Sequence, residues 1–322
     1  MPNLRSSDPI YISGHNGLLG QAVYKELTAQ GYTNLITCPH SELDLADQQK
    51  TYAFLKSMKP RAVIHCAALV GGIHANMARP AEFLFDNVIM QSNVIHGAHL
   101  ADVETLIYFG SNCMYPVSAP QPMAESLLLS GPMEASNLAY GAAKVAGLVQ
   151  VESYSKQYGR NYFCVVPASL YGPHDNYDLN QCHVTPALIL RMHMAKKNRD
   201  SKFSVWGTGK PRRELLFVED AAKGVRLLLE KYQASLGPVN LGAVEDLSVA
   251  EIAQTIQRVV GFEGELTFDL SKPDGNPRKL LDSSQIQGLG FSVSTPLEDG
   301  LKKTYDWLLS AKSVRGVPSG SL

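Results

Sequence analysis

The stretch that decides the fold reads Ile10-Tyr11-Ile12-Ser13-Gly14-His15-Asn16-Gly17-Leu18-Leu19-Gly20. Its first three residues are apolar and predict a short strand, and the residues from Leu18 onward predict a helix. Glycine at positions 14, 17 and 20 lets the backbone turn tightly and approach a pyrophosphate, whose charge is favoured at a helix N-terminus. This strand, loop and helix order favours a dinucleotide-binding loop over an ordinary glycine-rich turn.

The first half of the chain repeats the alternation of strand and helix patterns. Short apolar or β-branched runs are separated by longer segments with helical periodicity. Such alternation predicts an α/β fold in which a doubly wound parallel Rossmann sheet is covered on both faces. The predicted strands cover 10–12, 35–37, 62–66, 106–109 and 162–166, and the predicted helices cover 18–30, 47–58, 80–102 and 138–158.

After Pro167 the pattern loosens, and turn signals such as Tyr171-Gly172-Pro173 dominate 170–220. Helical patterns return near 214–232, 248–260 and 296–310. We expect this half to form a smaller α/β lobe that covers the sheet and binds substrate. The predicted division is a Rossmann domain at 1–168 that continues in part at 214–245, a substrate lobe at 169–312, and a frayed tail at 313–322.

The composition excludes several classes of protein. The 322 residues are 45% hydrophobic with a formal net charge of -1, and no run rich in Lys or Arg indicates a nucleic-acid or anionic-membrane surface. No apolar stretch approaches the roughly 20 residues of a membrane span. Five scattered cysteines without a CxxC pair argue against a disulfide framework and a structural zinc site. We expect a cytoplasmic enzyme without a metal.

Tyr140 and Lys144 are one helical turn apart, which would place a phenol and an ammonium on one helix face. The spacing alone decides nothing, because Tyr52 and Lys56 share it. Only the second pair follows the predicted fourth strand, which ends in Gly110-Ser111-Asn112-Cys113, and ligands bind at the carboxyl ends of such strands. The context therefore selects Tyr140 and Lys144.

These residue types suit the reduction of a carbonyl. Hydride addition leaves an alkoxide, so a proton donor must lie within hydrogen-bond reach of the oxygen, and Tyr140 is the candidate. The ammonium of Lys144 would stabilise the tyrosinate and bring its pKa closer to neutral. Ser111 is a candidate donor to the same oxygen.

The end of the predicted second strand leaves the choice of nicotinamide cofactor open. An acid would bind ribose hydroxyls and an arginine would bind a 2′-phosphate, but the chain has Cys38-Pro39-His40-Ser41 there. Asp44 follows, and it suits two roles equally: an acceptor for the adenine amino group or the N-cap of the next helix.

Several stretches together resemble the GDP-L-fucose synthase family, whose members are 3,5-epimerases and 4-reductases of the extended short-chain dehydrogenase class. The resemblance spans nearly the whole chain, and the contexts of Cys113 and His183 are the distinctive ones. The matching stretches are 14–20, 70–76, 110–116, 121–126, 170–176, 183–188 and 271–282.

The resemblance implies that Cys113 and His183 are the acid/base pair of epimerisation, with Cys113 as the base and His183 as the acid. Protons at C3 and C5 are acidified by a C4 ketone, and inversion needs a group on each face of the sugar ring. It also implies substrate contacts at Arg191, Trp206, Arg213 and Asp274. The candidate contacts for NADP(H), or for NAD(H), are Gly14, His15, Asn16, Gly17, Leu18, Leu19, Gly20, His40, Asp44, Leu45, Ala67, Ala68, Phe109, Gly110, Ser111, Asn112, Lys144, Pro167, Ala168, Ser169, Leu170 and His183.

Four positions depart from the family pattern. Asn16 and His40 replace arginines that bind the 2′-phosphate of NADP, which weakens the expected preference for NADP. Ser169 replaces an asparagine and Asn112 a serine near the sugar, so a related GDP-4-keto sugar (3,6-dideoxy or heptose) is an alternative substrate. A nucleotide-sugar 4-epimerase with bound NAD and a non-catalytic dinucleotide sensor are the other hypotheses. The family also implies a homodimer through the helices near 80–102 and 138–158.

Overall fold

The computed structural model describes residues 4–272 and 274–318. At its centre is a parallel sheet of six strands in the order β10-β5-β4-β3-β1-β2. This order matches a doubly wound α/β fold, so the predicted fold class is confirmed. The strands are β1 (Ile10–Ser13), β2 (Leu35–Ile36), β3 (Ala62–His65), β4 (Thr105–Phe109), β5 (Asn161–Pro167) and, much later in the chain, β10 (Val239–Leu241).

The strand interiors are buried on both faces, which explains their apolar runs. Every residue of β1, β3 and β4 is buried. The register pairs Ser13 with His65, and it pairs Phe109 with Val165. The carboxyl ends of these neighbouring strands therefore meet at one edge, where the loops that follow them converge.

Helices cover the sheet in two groups that pack among themselves. One group contains α1 (Leu18–Ala29) and α7 (Val218–Lys231), which contact each other. The other group contains α2 (Gln48–Met58), α4 (Pro80–Leu100) and α5 (Leu138–Tyr158), with α4 packed between α2 and α5. The short α3 (Ile73–Ala78) precedes α4.

The second lobe has its own apolar core, to which α6, α8 and α10 contribute. Around this core are small sheets, in which β12 pairs with β7, β8 lies between β11 and β13, and β6 pairs with β9. The elements of this half are β6 (Ser169–Tyr171), α6 (Val184–Asn198), β7 (Lys202–Trp206), β8 (Arg212–Arg213), β9 (Leu215–Phe217), β11 (Leu247–Ser248), α8 (Val249–Val260), β12 (Glu265–Asp269), β13 (Arg278–Lys279), α9 (Ser284–Gly288) and α10 (Leu297–Ser310).

Three sequence-based expectations differ from the structure. The helix predicted from residue 214 begins at Val218, because the preceding residues form β8 and β9. Helix α6 occupies Val184–Asn198, within the 170–220 segment for which the sequence pattern predicted no helix before residue 214. The first residues of the predicted frayed tail are packed: Val314 is buried in the second core, and the Tyr177 amide donates to the Arg315 carbonyl at 2.9 Å. Residues 319–322 lie outside the described part.

Two further observations concern the described residues as a whole. Within 4–272 and 274–318, helices of the length and apolarity needed to cross a bilayer are absent. The same part of the chain has no group of His, Cys, Asp and Glu side chains arranged to hold a metal ion. All five cysteines are described, and each is a free thiol.

Candidate active site

The glycine loop packs so closely that two of its glycines have no room for a side chain. Gly14 has φ +68°, and a Cβ there would lie 2.7 Å from the Ala67 nitrogen. A Cβ on Gly20 would lie 2.2 Å from the Gly14 carbonyl oxygen. The loop is therefore fixed between the end of β3 and the first turn of α1.

The residues of this loop fit a dinucleotide pyrophosphate. Helix α1 begins after Gly17 without a side-chain cap from the described residues, and its first turn has no acidic residue. Its first amides are thus open to an anion, which the positive end of the helix dipole favours. The Nδ1 atom of His15 is buried and has no hydrogen-bond partner within the described chain.

The structure separates the two readings of Asp44. The N-cap of α2 is Asp47, whose carboxylate accepts from the Lys50 amide at 3.0 Å, so the N-cap reading of Asp44 is wrong. One Asp44 oxygen accepts from the Ala46 amide at 2.9 Å and lies 3.9 Å from the ring of His40. His40 is exposed at the site's edge. The side chain of Leu45 is buried in the core, which leaves only its backbone for a cofactor.

Most of the remaining candidate cofactor residues lie at or just after the carboxyl ends of β3, β4 and β5. Ala67 and Ala68 follow β3, Gly110 to Asn112 follow β4, and Pro167 to Leu170 span the end of β5 and the start of β6. The amide of Gly110 donates to the Val165 carbonyl at 2.8 Å, which ties the ends of β4 and β5 together. These segments therefore line one edge of the sheet, as expected for a nicotinamide site.

Tyr140 and Lys144 lie in the first turns of α5, and both are buried. The Lys144 ammonium donates to the Phe109 carbonyl at 2.9 Å and lies 5.8 Å from the centre of the Tyr140 ring. Burial lowers the pKa of Lys144 to about 8. Burial raises the pKa of Tyr140, Cys113 raises it further, and a hydrogen bond with Ser111 lowers it. Tyr52 and Lys56, the pair with the same spacing, lie in α2, away from this edge.

Cys113 lies beside Tyr140 in a short 3-10 helix, Asn112–Met114. The Ser111 side chain fixes this turn by accepting from the Cys113 amide at 3.2 Å. Two residues that the sequence did not single out contact the thiol: the Asn137 amide donates to the sulfur at 3.1 Å, and the Lys279 ammonium lies 3.9 Å from it. The only sequence signal for Lys279 was its place within the 271–282 stretch.

His183 is the N-cap residue of α6, and its side chain makes no cap hydrogen bond with the described residues. The His183 side chain is exposed to solvent, yet desolvation by the surrounding protein lowers the pKa of its imidazole. Both observations describe a side chain on the wall of a cleft.

The segment before His183 contacts the surroundings of Tyr140. The Gly72 amide donates to the Gln181 carbonyl at 2.7 Å, and a Cβ on Gly72 would lie 2.6 Å from the Cys182 carbonyl oxygen. Gly72 is the N-cap residue of α3, whose Ala75 belongs to one apolar cluster with Tyr140 and, at its edge, Cys113. The structure thus joins the distant His183 to the Cys113 and Tyr140 region through α3.

Arg191 and Trp206 meet in the second lobe. The Arg191 guanidinium lies 5.5 Å from the Trp206 ring and donates to the Ser204 carbonyl at 2.9 Å. Burial lowers the pKa of Arg191. Trp206 is 60% exposed, so its indole is not part of the apolar core. An exposed indole beside a guanidinium suits a nucleotide base or sugar.

Arg213 and Asp274 differ in whether their charged groups already have side-chain partners. The Arg213 guanidinium donates to the Asn276 carbonyl at 2.6 Å, and its charge remains without a carboxylate in direct contact among the described residues. The Asp274 carboxylate accepts from the amide and the hydroxyl of Thr208, at 2.8 and 2.7 Å. Asp274 therefore fixes the loop after Trp206. Arg212, by contrast, pairs with Asp246.

Comparisons with known proteins agree with this site. The NAD dependent epimerase/dehydratase family model matches residues 10–242. The chain is 45% identical to GDP-L-fucose synthase 1 of Arabidopsis thaliana over 94% of each chain. It matches a GDP-6-OMe-4-keto-L-xylo-heptose reductase from C. jejuni with a TM-score of 0.91 and 34% identity, over 95% of this chain and 99% of that one.

A GDP-L-fucose synthetase from Naegleria fowleri bound to NADP has a TM-score of 0.89 and 29% identity to this chain, over 98% of both. The relative and the two solved structures each match at least 94% of this chain, whereas the family model matches residues 10–242. The chain therefore belongs to the GDP-L-fucose synthase family, within the NAD dependent epimerase/dehydratase family of enzymes.

Proposed function

We propose that the protein is a bifunctional 3,5-epimerase and 4-reductase that uses NADPH to convert GDP-4-keto-6-deoxy-D-mannose to GDP-L-fucose. The observation that supports it most is the position of Cys113 in the same small cluster as Tyr140. Reduction at C4 requires the tyrosine, and a thiol beside it is placed to remove a proton from a carbon next to C4.

The epimerase step uses Cys113 as the base and His183 as the acid. The C4 ketone acidifies the protons on C3 and C5, so the Cys113 thiolate removes one proton to give an enolate, and protonated His183 donates a proton to the opposite face. Proton exchange with solvent then restores the thiolate and the imidazolium. The neighbouring protons lose this acidity once C4 is reduced. Epimerisation therefore precedes reduction.

The reductase step uses Tyr140 as the proton donor to the C4 oxygen. When bound, the dihydronicotinamide supplies the hydride. The Ser111 hydroxyl stabilises the developing oxyanion, and the Lys144 ammonium stabilises the tyrosinate that remains after proton transfer. Arg191 and Arg213 are the proposed partners of the GDP diphosphate, because guanidinium groups form charge-assisted hydrogen bonds with phosphate oxygens.

NADPH is the proposed cofactor, as in the Naegleria fowleri relative that binds NADP. His40 and Asn16 stand where arginines are usual in the family. The imidazole and the amide that would donate to the 2′-phosphate form weaker hydrogen bonds with it than guanidinium groups do. We expect NADPH to be preferred over NADH by a smaller factor than a pair of arginines would give.

A second candidate is the same chemistry on a related GDP-4-keto sugar. Asn112, one of the departures from the family pattern, directly contacts the thiol of Cys113, with 3.8 Å between the side-chain oxygen and the sulfur. A change at this position alters the surroundings of the epimerisation base. The match to a heptose reductase agrees with a substrate that differs at C6.

The test is incubation with GDP-4-keto-6-deoxy-D-mannose and with a GDP-4-keto-heptose, each with NADPH and with NADH. The proposal expects stoichiometric loss of nicotinamide absorbance and a GDP-L-fucose product from the first substrate. Faster turnover of the heptose would favour the second candidate. Interconversion of C4 epimers without net oxidation of the cofactor would instead identify a nucleotide-sugar 4-epimerase.

We further propose that the enzyme is a homodimer through α4 and α5. Phe85 of α4 and Val149 of α5 are large apolar side chains that are exposed in the single chain. Light scattering on the purified protein tests this, and a monomer at micromolar concentration would reject it.

A further inference from the structure

The ammonium of Lys144 lies against the ring of Tyr108, a residue of β4 that has no part in the proposed chemistry. The distance from the Lys144 nitrogen to the centre of the Tyr108 ring is 5.0 Å, which is shorter than its 5.8 Å distance to the Tyr140 ring. A cation within about 6 Å of a ring face is attracted by its π electrons, most strongly where water is excluded. Lys144 is only 4% exposed, so this attraction is weakly screened.

The hydroxyl of Tyr108 is fixed from the side of α4. It donates to the side-chain oxygen of Gln91 at 2.7 Å and makes a longer contact of 3.4 Å with the Lys144 carbonyl. The Gln91 amide in turn donates to the Ala143 carbonyl at 2.6 Å. Tyr108 and Gln91 thus donate hydrogen bonds to the carbonyls of Lys144 and Ala143, two consecutive residues of α5.

Helix α5 has a glycine where the Tyr108 ring would otherwise collide with it. A Cβ on Gly147 would lie 2.3 Å from Cζ of Tyr108 and 2.4 Å from its hydroxyl oxygen. Glycine in the interior of a helix is less stable than alanine, because its backbone loses more conformational freedom on folding. The chain accepts this cost at Gly147, and the space it leaves is filled by Tyr108.

We propose that Tyr108 is a positioning residue for Lys144: its ring face supports the ammonium, and its hydroxyl, through Gln91, fixes the turn of α5 from which Lys144 extends. The consequence for catalysis rests on the proposed role of Lys144 in reduction. The placement and charge of the ammonium do not rest on it, and they can be measured without substrate.

The other groups that face Lys144 are neutral at working pH. Burial lowers the pKa of His65, which bonds to Ser13 at 2.7 Å, to about 3. Burial raises the pKa of Cys164 to about 12, and it also raises the pKa values of Cys66 and Tyr140. The electrostatic support of the ammonium therefore comes from dipoles and ring electrons, of which Tyr108 provides the nearer ring.

The experiment is an NMR titration of the protein without cofactor or substrate, labelled with 13C at the ε carbon of lysine. A Lys144→Met spectrum assigns the Lys144 signal. In the unchanged protein we expect this signal to titrate near pH 8, as burial predicts. In Tyr108→Leu the ring is lost, and we expect the midpoint to fall by roughly one pH unit.

The matched control is Tyr162→Leu, which removes a buried tyrosine from β5 whose hydroxyl bonds to the Val103 carbonyl at 3.0 Å. It should leave the Lys144 midpoint unchanged. If Tyr108→Leu does not fold, Tyr108→Phe is compared with pentafluorophenylalanine at position 108, which reverses the charge distribution of the ring and should lower the midpoint. A midpoint that is the same with every ring, or that moves equally in Tyr162→Leu, overturns the proposal.

Kinetics on the same variants provide the link to catalysis. The rate of reduction depends on protonated Lys144. In Tyr108→Leu the pH above which this rate falls should therefore decrease together with the NMR midpoint of Lys144. An NMR shift without activity in the unchanged protein would reject the proposed function and leave the positioning of Lys144 by Tyr108 standing. Activity whose pH limit stays fixed while the NMR midpoint moves would overturn the consequence for catalysis.

Discussion

The ammonium nitrogen of Lys279 lies 3.9 Å from the sulfur of Cys113, although 166 positions separate the two residues in the chain. The amide of Asn137 donates to the same sulfur at 3.1 Å, and the Glu134 carboxylate holds the ammonium from its other side at 3.4 Å. A thiol must lose its own proton before it can act as a base. A thiol that faces a cation and a hydrogen-bond donor is suited to the negative charge that remains.

Replacement of Lys279 by methionine should slow epimerisation by at least tenfold, because it removes the charge and keeps most of the side-chain volume. The measurement is the rate at which solvent deuterium enters C3 and C5 of the 4-keto substrate. Lys302→Met, an exposed lysine on α10, is the control. Exchange at the unchanged rate in Lys279→Met would show that the ammonium does not assist Cys113.

Tyr140 and Cys113 should separate the two half-reactions. Tyr140→Phe should abolish reduction, a loss of about 100-fold or more, and leave solvent exchange at C3 or C5, since only the proton donor for C4 is removed. Cys113→Ser should lose exchange and keep cofactor binding. Tyr52→Phe is the natural control, because it has the same spacing to a lysine but lies in α2. Equal losses of both activities in both active-site variants would contradict this division.

The glycine loop should not tolerate a single methyl group at Gly20. The added Cβ would lie 2.2 Å from the Gly14 carbonyl oxygen, so the loop must shift away from α1. We expect NADPH affinity to fall by roughly tenfold or more, measured by fluorescence titration. Gly288→Ala, where nothing lies within 4 Å of the new carbon, should bind normally. Unchanged affinity in Gly20→Ala would mean that this loop does not bind the pyrophosphate.

Asp175 should make the protein less stable as the pH rises. Burial raises the pKa of this carboxyl from 3.8 to about 7 in the folded protein. The folded state therefore binds more protons than the unfolded state between these values, and the free energy of unfolding falls as the pH rises through about 7. Asp175→Asn removes this loss and keeps an acceptor for the Asn176 amide, which donates to Asp175 at 2.7 Å.

Urea unfolding at pH 5 and at pH 8 tests the Asp175 prediction. The stability of Asp175→Asn relative to the unchanged protein should increase by about 2–3 kcal/mol between pH 5 and pH 8. An exposed aspartate, as in Asp200→Asn, should show little change. A difference that is independent of pH would show that Asp175 is ionised in the folded protein at both.

The elements of the first half could be predicted because burial and sequence pattern coincide there. All residues of β1, β3 and β4 are buried, so each strand is a nearly continuous apolar run. Helix α6 gave no such signal. It buries Thr185, Leu190 and Met192 among others, so polar and apolar residues do not divide cleanly between its faces, and it follows a segment rich in turns.

The candidate site could be predicted where it follows from strand order alone. Ser111 and Cys113 follow β4, and a parallel sheet brings such segments to one edge. The contacts of Asn137 and Lys279 with the thiol depend on packing between distant parts of the chain, which no local pattern encodes. The same holds for Tyr108, whose apolar strand context suggests a core residue and nothing more.

The position of β10 in the chain has a consequence for biosynthesis. This strand completes the central sheet by pairing with β5, but roughly 70 residues, which include much of the second lobe and α7, separate the two in the chain. They take several seconds to translate at about 5–20 residues per second. During that interval the nascent chain exposes the hydrogen-bonding edge of β5, and an unpaired edge is a template for association with other chains. We therefore expect the nascent chain to associate with other chains more readily before Val239 leaves the ribosome than after β10 has paired with β5.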